Sequence, residues 1–337
     1  MNRGWLLPLV PLYAAGASAK NLAYDRGWRQ PHRLSWPVIS VGNLSVGGAG
    51  KTPLVIRLAE LLTSNGLTVD VLSRGYGRGS GIVEAVDPAG SATQFGDEPL
   101  LIARRAGVPV VVGADRYAAG LLAEKSLRSD VRAVHVLDDG FQHRRLARDA
   151  DVVVVHRSDL EERLLPAGRL REPVVSLKRA SIVVLREEDQ DVEERLRKLG
   201  VLAPVWWMRR AMEVPPSVGK AVAFCGIARP EEFFRSLTAS GVSVAETKSF
   251  SDHHRYTRKD MEVLLSSARA EGADAFVTTE KDAVKLDARL RRQLEQSIAL
   301  HIVKLTVTLQ DEAQIIEDLR KRIEGGRQAV QHGPVRK

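Results

Sequence analysis

The sequence predicts an α/β protein of two α/β/α domains, the first with a mainly parallel sheet and the second a smaller α/β domain. Short apolar runs alternate along the chain with longer segments whose apolar residues recur at helical spacing. Strands that are apolar on both faces are typical of a parallel sheet covered by helices on both sides. The 337 residues exceed a typical single domain, and 44% hydrophobic and 27% charged residues are an ordinary globular composition.

The first unit follows a strand, loop, helix rhythm. An apolar run at 36–44 ends in a glycine-rich loop, and the helical pattern that follows closes on Gly66. Further strands are predicted at 67–75, 107–113, 132–140 and 150–156, with helical stretches at 97–107 and 115–129.

The double proline within residues 205–220 interrupts this rhythm and marks the predicted boundary. A second α/β unit follows, with strands predicted at 221–227, 242–250, 274–279 and 299–307, and helices at 229–241, 257–272 and 311–325. The predicted division is a lead-in at 1–35, a first domain at 36–212, a linker at 213–220, a second domain at 221–325 and a disordered basic tail at 326–337.

Charge and cysteine content limit which cellular compartments and which classes of partner suit the protein. The single cysteine, Cys225, cannot form an intramolecular disulfide, which favours a reducing compartment. A net charge of +8 favours polyanionic partners such as nucleic acid, nucleotide phosphates or an anionic membrane. Aromatic residues make up only 5% and are not interleaved with basic ones, so we expect no nucleic-acid partner. No obligate protein partner is indicated.

The N-terminal apolar run at residues 5–19 has three interpretations. It ends in Ala-Ser-Ala, as a cleaved signal peptide would. It is shorter than the ~20 residues of a membrane span, and Pro8 and Pro11 would disturb a spanning helix. Basic residues flank it, which favours a helix on an anionic membrane surface: Arg3, Lys20, Arg26, Arg29 and Arg33. The third interpretation is a helix packed on the first domain.

The stretch SVGGAGKT predicts a phosphate-binding loop. Such a loop needs backbone N–H groups at a helix N-terminus, a lysine for the β and γ phosphates, and a hydroxyl for Mg²⁺. Ser45 stands where the general pattern has glycine, which a serine can do if its backbone dihedrals are ordinary. The predicted nucleotide-binding residues are Ser45, Val46, Gly47, Gly48, Ala49, Gly50, Lys51 and Thr52.

A metal site is predicted beside this loop. Asp138 and Asp139 end an apolar strand, at the edge where open α/β sheets place ligands. Paired aspartates also cap turns, but next to a phosphate loop the metal role is favoured, with Thr52 supplying the hydroxyl. The lysine that partitioning and targeting ATPases carry within the loop is absent, because Val46 precedes Gly47.

Seven blocks together resemble the tetraacyldisaccharide 4'-kinases, which phosphorylate the lipid A precursor. In chain order they are VISVGNLSVGGAGKTP, LSRGYGR, FGDEP, VLDDGFQHR, LLPAGRLREP, FSDHH and TTEKDAVKL. Ser45 belongs to this family's version of the loop. The resemblance implies a P-loop kinase domain that uses ATP and Mg²⁺ to phosphorylate the 4'-hydroxyl of a tetraacylated glucosamine disaccharide 1-phosphate.

The resemblance also implies roles for individual residues. Phosphoryl transfer needs a carboxylate to accept the hydroxyl proton, and the matching position is Asp97. The family pairs this aspartate with a histidine, which points to His253, with His254 as the alternative. Lys51 is the third predicted catalytic residue, and Glu172 is a further acid for Mg²⁺ or nucleotide. Arginines suited to phosphates of the substrate or of ATP are Arg74, Arg78 and Arg171.

The donor and the acceptor together indicate where the protein works. ATP is cytoplasmic and an acylated acceptor lies in a bilayer, so we expect an uncleaved N-terminal segment docked on the cytoplasmic face of the inner membrane of a Gram-negative bacterium. Two alternatives are a membrane-associated P-loop ATPase switch and a P-loop kinase of a soluble small molecule. The segment Glu280-Lys281-Asp282 is predicted to lie at a strand end facing the cleft, without an assigned role.

Overall fold

The computed structural model describes residues 4–48, 50–126, 132–216 and 218–331. Ala49, predicted in the phosphate loop, lies outside the described residues, as do residues 332–337 of the predicted tail. Within the described chain the α/β prediction is confirmed.

Twelve strands of the described residues form one sheet. They are β1 (Val38–Asn43), β2 (Thr68–Ser73), β3 (Glu84–Ala85), β4 (Val110–Val112), β5 (Ala133–Asp138), β6 (Ala150–Val154), β7 (Ile182–Arg186), β8 (Val205–Glu213), β9 (Ala221–Cys225), β10 (Val244–Ser249), β11 (Ala275–Thr279) and β12 (Ala299–Leu309). Their order is β10-β9-β11-β12-β8-β7-β6-β1-β5-β2-β4-β3. Within these residues, antiparallel pairing occurs between β8 and β12 and between β3 and β4.

Helices cover both faces of this sheet. They are α1 (Val10–Asp25), α2 (Lys51–Ser64), α3 (Ala92–Phe95), α4 (Asp97–Ala106), α5 (Arg116–Ser126), α6 (Gln190–Lys198), α7 (Pro230–Ala239), α8 (Arg258–Glu271), α9 (Glu280–Ala283), α10 (Ala288–Glu295) and α11 (Glu312–Gln331). Short 3₁₀ helices occupy Gly4–Leu9, Arg157–Leu160 and Val174–Arg179.

The strand at 205–213 corrects the sequence interpretation. The double proline predicted only a break between domains here, yet β8 pairs in parallel with β7 and antiparallel with β12. Trp206 and Met208 are buried, while the next residue, Arg209, is exposed. More buried and less buried side chains alternate along the strand, which is the pattern of a half-buried strand. The sheet therefore continues from the first unit into the second through β8 and β12.

The last helix departs from the predicted division. On α11, Ile315, Ile316, Leu319 and Ile323 are buried in the same core as Leu54 and Leu58 of α2, rather than in the core of the second unit. The chain therefore returns along β12 to the first unit, and chain order alone does not reveal such a return. Helix α11 also runs to Gln331, so the prediction of disorder beginning at residue 326 is wrong for 326–331.

The placement of α11 predicts which part of the protein a core mutation weakens. Leu319 is fully buried, so Leu319→Ala is expected to cost about 2–5 kcal/mol of unfolding free energy in urea titrations. The matched change at Leu202, which is 81% exposed, is expected to cost less than about 0.5 kcal/mol. Amide hydrogen exchange should rise in α2 and β1. A rise confined to β9 and β11 would contradict the placement of α11.

Candidate active site

The phosphate loop connects β1 to α2 and depends on glycine at two described positions. Gly47 and Gly50 have φ of 103° and 85°, a region that side chains rarely adopt. A Cβ on Gly47 would also lie 2.6 Å from the Arg169 guanidinium. Ser45 is absent from the described residues with positive φ, and its hydroxyl and carbonyl oxygens accept hydrogen bonds from the Asn43 amide at 3.3 and 2.8 Å. Serine is therefore accommodated where the general pattern has glycine.

The ammonium group of Lys51 is held by the protein at the start of α2. Its Nζ donates to Asn43 Oδ1 at 2.8 Å and lies 3.4 Å from Asp139 Oδ1. The side chain is only 12% exposed. A cation so placed at a helix N-terminus, among backbone N–H groups, is suited to an anion such as a nucleotide phosphate.

A second cation, Arg171, lies beside the loop and forms an ion pair with Asp139. The Arg171 guanidinium donates to both Asp139 oxygens, at 2.7 and 2.8 Å, and to the Asn43 side-chain oxygen at 2.5 Å. Burial acts to raise the pKa of Asp139, but the charges of Lys51 and Arg171 outweigh it and hold the pKa below the ordinary value. Asp139 is ionised, and cations already occupy its oxygens.

Asp138 has the opposite electrostatic environment. It is 2% exposed, and Ser73 Oγ donates to its Oδ2 at 2.8 Å. Burial, with the nearby charges of Glu98 and Asp139, raises the pKa of Asp138 to about 7. A buried carboxylate crowded by like charges gains most from a divalent cation.

The structure does not bring the four predicted metal ligands together. Glu172 accepts hydrogen bonds from Asn21 of α1 at 2.7 Å and from Arg179 at 2.8 Å. Its carboxylate is therefore bonded to the N-terminal helix and to an arginine. In the described ranges, no group of three or more His, Cys, Asp or Glu side chains is arranged to hold a metal ion. Asp138 and the hydroxyl of Thr52, at the start of α2, are the donor types that suit Mg²⁺, which keeps waters and binds through few carboxylates and substrate phosphates.

Asp97 and His253 meet across the two units. Asp97 is 6% exposed, opens α4 and lies 2.9 Å through Oδ2 from His253 Nδ1. Burial acts to raise the pKa of Asp97, but the hydrogen bond from His253 and the charge of Lys281 bring it below its ordinary value. The same hydrogen bond raises the pKa of His253 despite partial burial. The site therefore holds an ionised carboxylate against a histidine that favours its protonated form.

Local backbone conformation positions both members of this pair. Gly96, with φ of 92°, packs against Gly75 after β2, where an added Cβ would lie 3.2 Å from the Gly75 Cα. This contact brings the start of α4 to the carboxyl end of β2. His253 itself has φ of 58°, a region that few residues other than glycine occupy and where strain accompanies function.

The neighbouring histidine has a different partner. His254 Nε2 lies 3.1 Å from Asp260 Oδ2, and its ring stacks on Phe250 with centroids 4.8 Å apart. Asp260 also completes the N-terminal capping box of α8 with Thr257. Of the two histidines left open by the sequence, the geometry joins His253 to Asp97 and assigns His254 to the second unit's internal contacts.

The three predicted phosphate-binding arginines have different partners. Arg171 pairs with Asp139. Arg78 donates to Glu84 and to the Ile82 carbonyl. Arg74 is exposed and lies close enough to buried Arg116 for their charges to interact.

Several site residues were not predicted from the sequence. Asn43 bonds Ser45, Lys51 and Arg171, although in the sequence it reads as the last strand residue before the loop. Arg169 covers Gly47 and donates to the Val46 carbonyl. An asparagine directly before a glycine-rich loop was the available signal for Asn43.

The N-terminal helix joins the site by polar contacts and leaves its apolar side chains exposed. Tyr13 donates to the Arg171 carbonyl at 3.0 Å, and Lys20 donates to the Gln142 carbonyl at 3.0 Å. None of the residues of α1 is buried. Large apolar side chains of this region are exposed by 43–79%: Trp5, Leu7, Leu9, Leu12, Leu22 and Trp28. Among the described helices, none is both long and apolar enough to cross a membrane.

Comparison with known proteins gives one consistent family. The profile of the tetraacyldisaccharide-1-P 4'-kinase family matches residues 3–324. A tetraacyldisaccharide 4'-kinase of Koribacter versatilis is 41% identical over 328 residues, covering 94% of this chain and 98% of that protein. One of Geobacter metallireducens is 43% identical over 298 residues, covering 83% of this chain and 87% of that protein.

A solved structure supports the same grouping. LpxK from Aquifex aeolicus, crystallised in complex with ATP, is 34% identical and superposes with a TM-score of 0.75, covering 96% of this chain and all of that one. Sequence and fold therefore agree over nearly the whole length. The chain belongs to the tetraacyldisaccharide-1-P 4'-kinase family.

Proposed function

We propose that this protein transfers the γ-phosphoryl group of ATP to the 4'-hydroxyl of a tetraacylated glucosamine disaccharide 1-phosphate, giving the bisphosphorylated lipid A precursor. Membership of the 4'-kinase family supports the reaction. The observation that carries the proposal is the contact between Asp97 and His253, because a phosphate loop alone would serve a kinase, an ATPase or a switch equally well.

The loop and its cations provide the nucleotide site. The first N–H groups of α2 and the Lys51 ammonium would meet the phosphates, and Arg171 adds a second cation. Thr52 and Asp138 are the residues that would hold Mg²⁺, which neutralises phosphate charge when bound. Cations near the triphosphate stabilise negative charge that spreads over the transferring group.

Asp97 is suited to accept the proton of the acceptor hydroxyl. It is ionised, because its pKa lies below the ordinary value, and it is nearly excluded from water. His253 orients the carboxylate and, when protonated, balances its charge. An acceptor hydroxyl placed between Asp97 and the phosphate loop would be positioned for in-line attack on the γ-phosphorus.

The exposed apolar side chains of the N-terminal region suit an acylated acceptor. We propose that this region docks on an anionic membrane, since basic residues such as Lys20 and Arg29 accompany the apolar ones. Because Tyr13 and Asn21 of α1 bond residues 171 and 172, the docked helix would place the nucleotide site next to the bilayer. ATP is cytoplasmic, so we propose the cytoplasmic face of the inner membrane of a Gram-negative bacterium.

The two other functions considered from the sequence have less support. A membrane-binding ATPase switch needs no hydroxyl acceptor and would leave Asp97 and His253 without a purpose. A kinase of a soluble molecule would leave the exposed apolar surface of the N-terminal region without a purpose. Labelled ATP incubated with the tetraacyl disaccharide 1-phosphate in detergent distinguishes them, since only the proposed function gives a labelled bisphosphorylated lipid.

The role of Asp97 predicts a loss of turnover without a loss of nucleotide binding. Asp97→Asn is expected to lower kcat in this assay by about 10²–10⁴-fold, the usual contribution of general base catalysis. The dissociation constant for ATP, measured by calorimetry, should stay within about threefold. The matched control is Asp260→Asn, which also removes a carboxylate from a histidine. This control should keep kcat within about fivefold, and an equal loss in both variants would refute the assignment.

The membrane role predicts different effects for two leucines of similar exposure. Leu12 in α1 is 73% exposed and Leu202, between α6 and β8, is 81% exposed. Leu12→Ser should weaken sedimentation with vesicles of anionic phospholipid by about tenfold, the effect of withdrawing one buried apolar side chain. Leu202→Ser should leave vesicle binding unchanged. Equal binding by both variants would show that α1 does not enter the bilayer surface.

A further inference from the structure

The segment Glu280-Lys281-Asp282, for which the sequence predicts no role, forms the start of the short helix α9 directly after β11. Asp282 is fully buried and bonds within the second unit, accepting from the Gly226 amide at 2.9 Å and from the Tyr256 hydroxyl at 3.0 Å. Thr279 caps the helix through the Asp282 amide. These contacts fix the start of α9 and therefore the positions of the two residues between them.

Those two residues both reach across to α4 of the first unit. Glu280 accepts from Arg105 at 2.6 Å. Lys281 donates to Glu98 Oε1 at 3.1 Å, and its Nζ lies 3.7 Å from Asp252 and 4.0 Å from Asp97. The Lys281 side chain is 20% exposed. One ammonium group thus lies among three carboxylates, two from α4 and one from the loop that carries His253.

The charges around Asp97 show what this ammonium group does. Charged groups surround Asp97 from three parts of the chain. They lie on its own helix α4, in the loop at 250–257, and on α9 or two residues after its end. They are Glu98, Asp252, His253, Lys281 and Lys285, and the charges of Glu98 and of Asp138, at the end of β5, act on each other. With Lys281 removed, two carboxylates would act on Asp97 with His253 as the only nearby cation in direct contact, among the described residues.

We infer that Lys281 is a positioning residue for the phosphotransfer reaction, which keeps Asp97 ionised and holds the His253 loop against α4. It acts through its contacts with Glu98, Asp252 and Asp97 and does not itself reach the reacting atoms. The inference rests on the proposed role of Asp97 as the base. Burial acts to lower the pKa of Lys281, but the three carboxylates outweigh it and raise the pKa, so the cation persists over the working range.

The expected signature is a pH effect. Lys281 and His253 lower the pKa of Asp97, so removal of Lys281 raises it and protonates Asp97 at a higher pH. The base works only when ionised, so the acid side of the kcat profile moves upward. Each unit of pKa changes the ratio of ionised to protonated carboxylate by a factor of about ten.

The experiment measures kcat for the lipid bisphosphate product from pH 4.5 to 8.5 with the full-length protein in detergent. Lys281→Met is expected to show a loss of kcat relative to wild type that is at least about threefold larger at pH 4.5 than at pH 8.5, because a neighbouring cation lowers a carboxylate pKa by about 1–3 units. Lys281→Arg keeps the charge and should follow the wild-type profile within about threefold. ATP binding by calorimetry confirms that each variant is folded.

The control is Arg105→Met, which removes the other ion pair between α4 and α9 and leaves the contacts of Asp97 in place. Its profile should keep the wild-type shape. A loss of kcat in Lys281→Met that is the same at every pH would overturn the inference. An equal shift of the kcat profile in Arg105→Met would overturn it too, because either result would indicate loosened packing.

Failure of the proposed function would look different. No lipid bisphosphate from wild type at any pH would overturn the function and the inference together. Full activity in Asp97→Asn would leave the kinase function standing and overturn the role of Asp97 as the base, and with it the inference. The role of Lys281 alone would be overturned if wild type is active, Asp97→Asn is inactive and the kcat profile of Lys281→Met is not shifted along the pH axis.

Discussion

The contact between the Asp97 carboxylate and the His253 imidazole is the constraint on which the candidate site depends. The two residues are far apart in the chain, and each comes from a different unit. They meet because the sheet runs without a break from one unit to the other through β8 and β12, and because Gly96 packs on Gly75. The positive φ of His253 is a local cost that the surrounding contacts must offset.

Charge is distributed unevenly across the site, and this distribution assigns the chemistry. Lys51 and Arg171 neutralise Asp139, and Arg179 pairs with Glu172, whereas Asp138 is buried among like charges. Within the part of the chain that the structure describes, Asp138 forms no direct ion pair, and this carboxylate is the one suited to Mg²⁺. Asp97 differs again, because its partner is a histidine, which can orient a carboxylate while leaving it able to accept a proton.

The sequence predicted the strands around the phosphate loop because each is a short, mostly apolar run. It missed β8, where two arginines follow the tryptophans and a methionine, shortly before a double proline. The return of α11 to the first core and the partners of Asn43 and Lys281 were also missed. Arg171 is distant in the chain from Asn43, as Glu98 is from Lys281, so only the folded topology brings these pairs together. The pairing of Asp97 with His253 came from family resemblance, and the geometry agrees with it.

The most direct test of this account is the protonation of His253 in solution, followed by ¹⁵N NMR of the imidazole in the full-length protein. Contact with Asp97 predicts that His253 titrates above the ordinary histidine value of about 6.5 and that Asp97→Asn lowers its pKa. The same pKa in both proteins would show that the two side chains do not meet in solution, and the site described here would then lack its base and histidine pair.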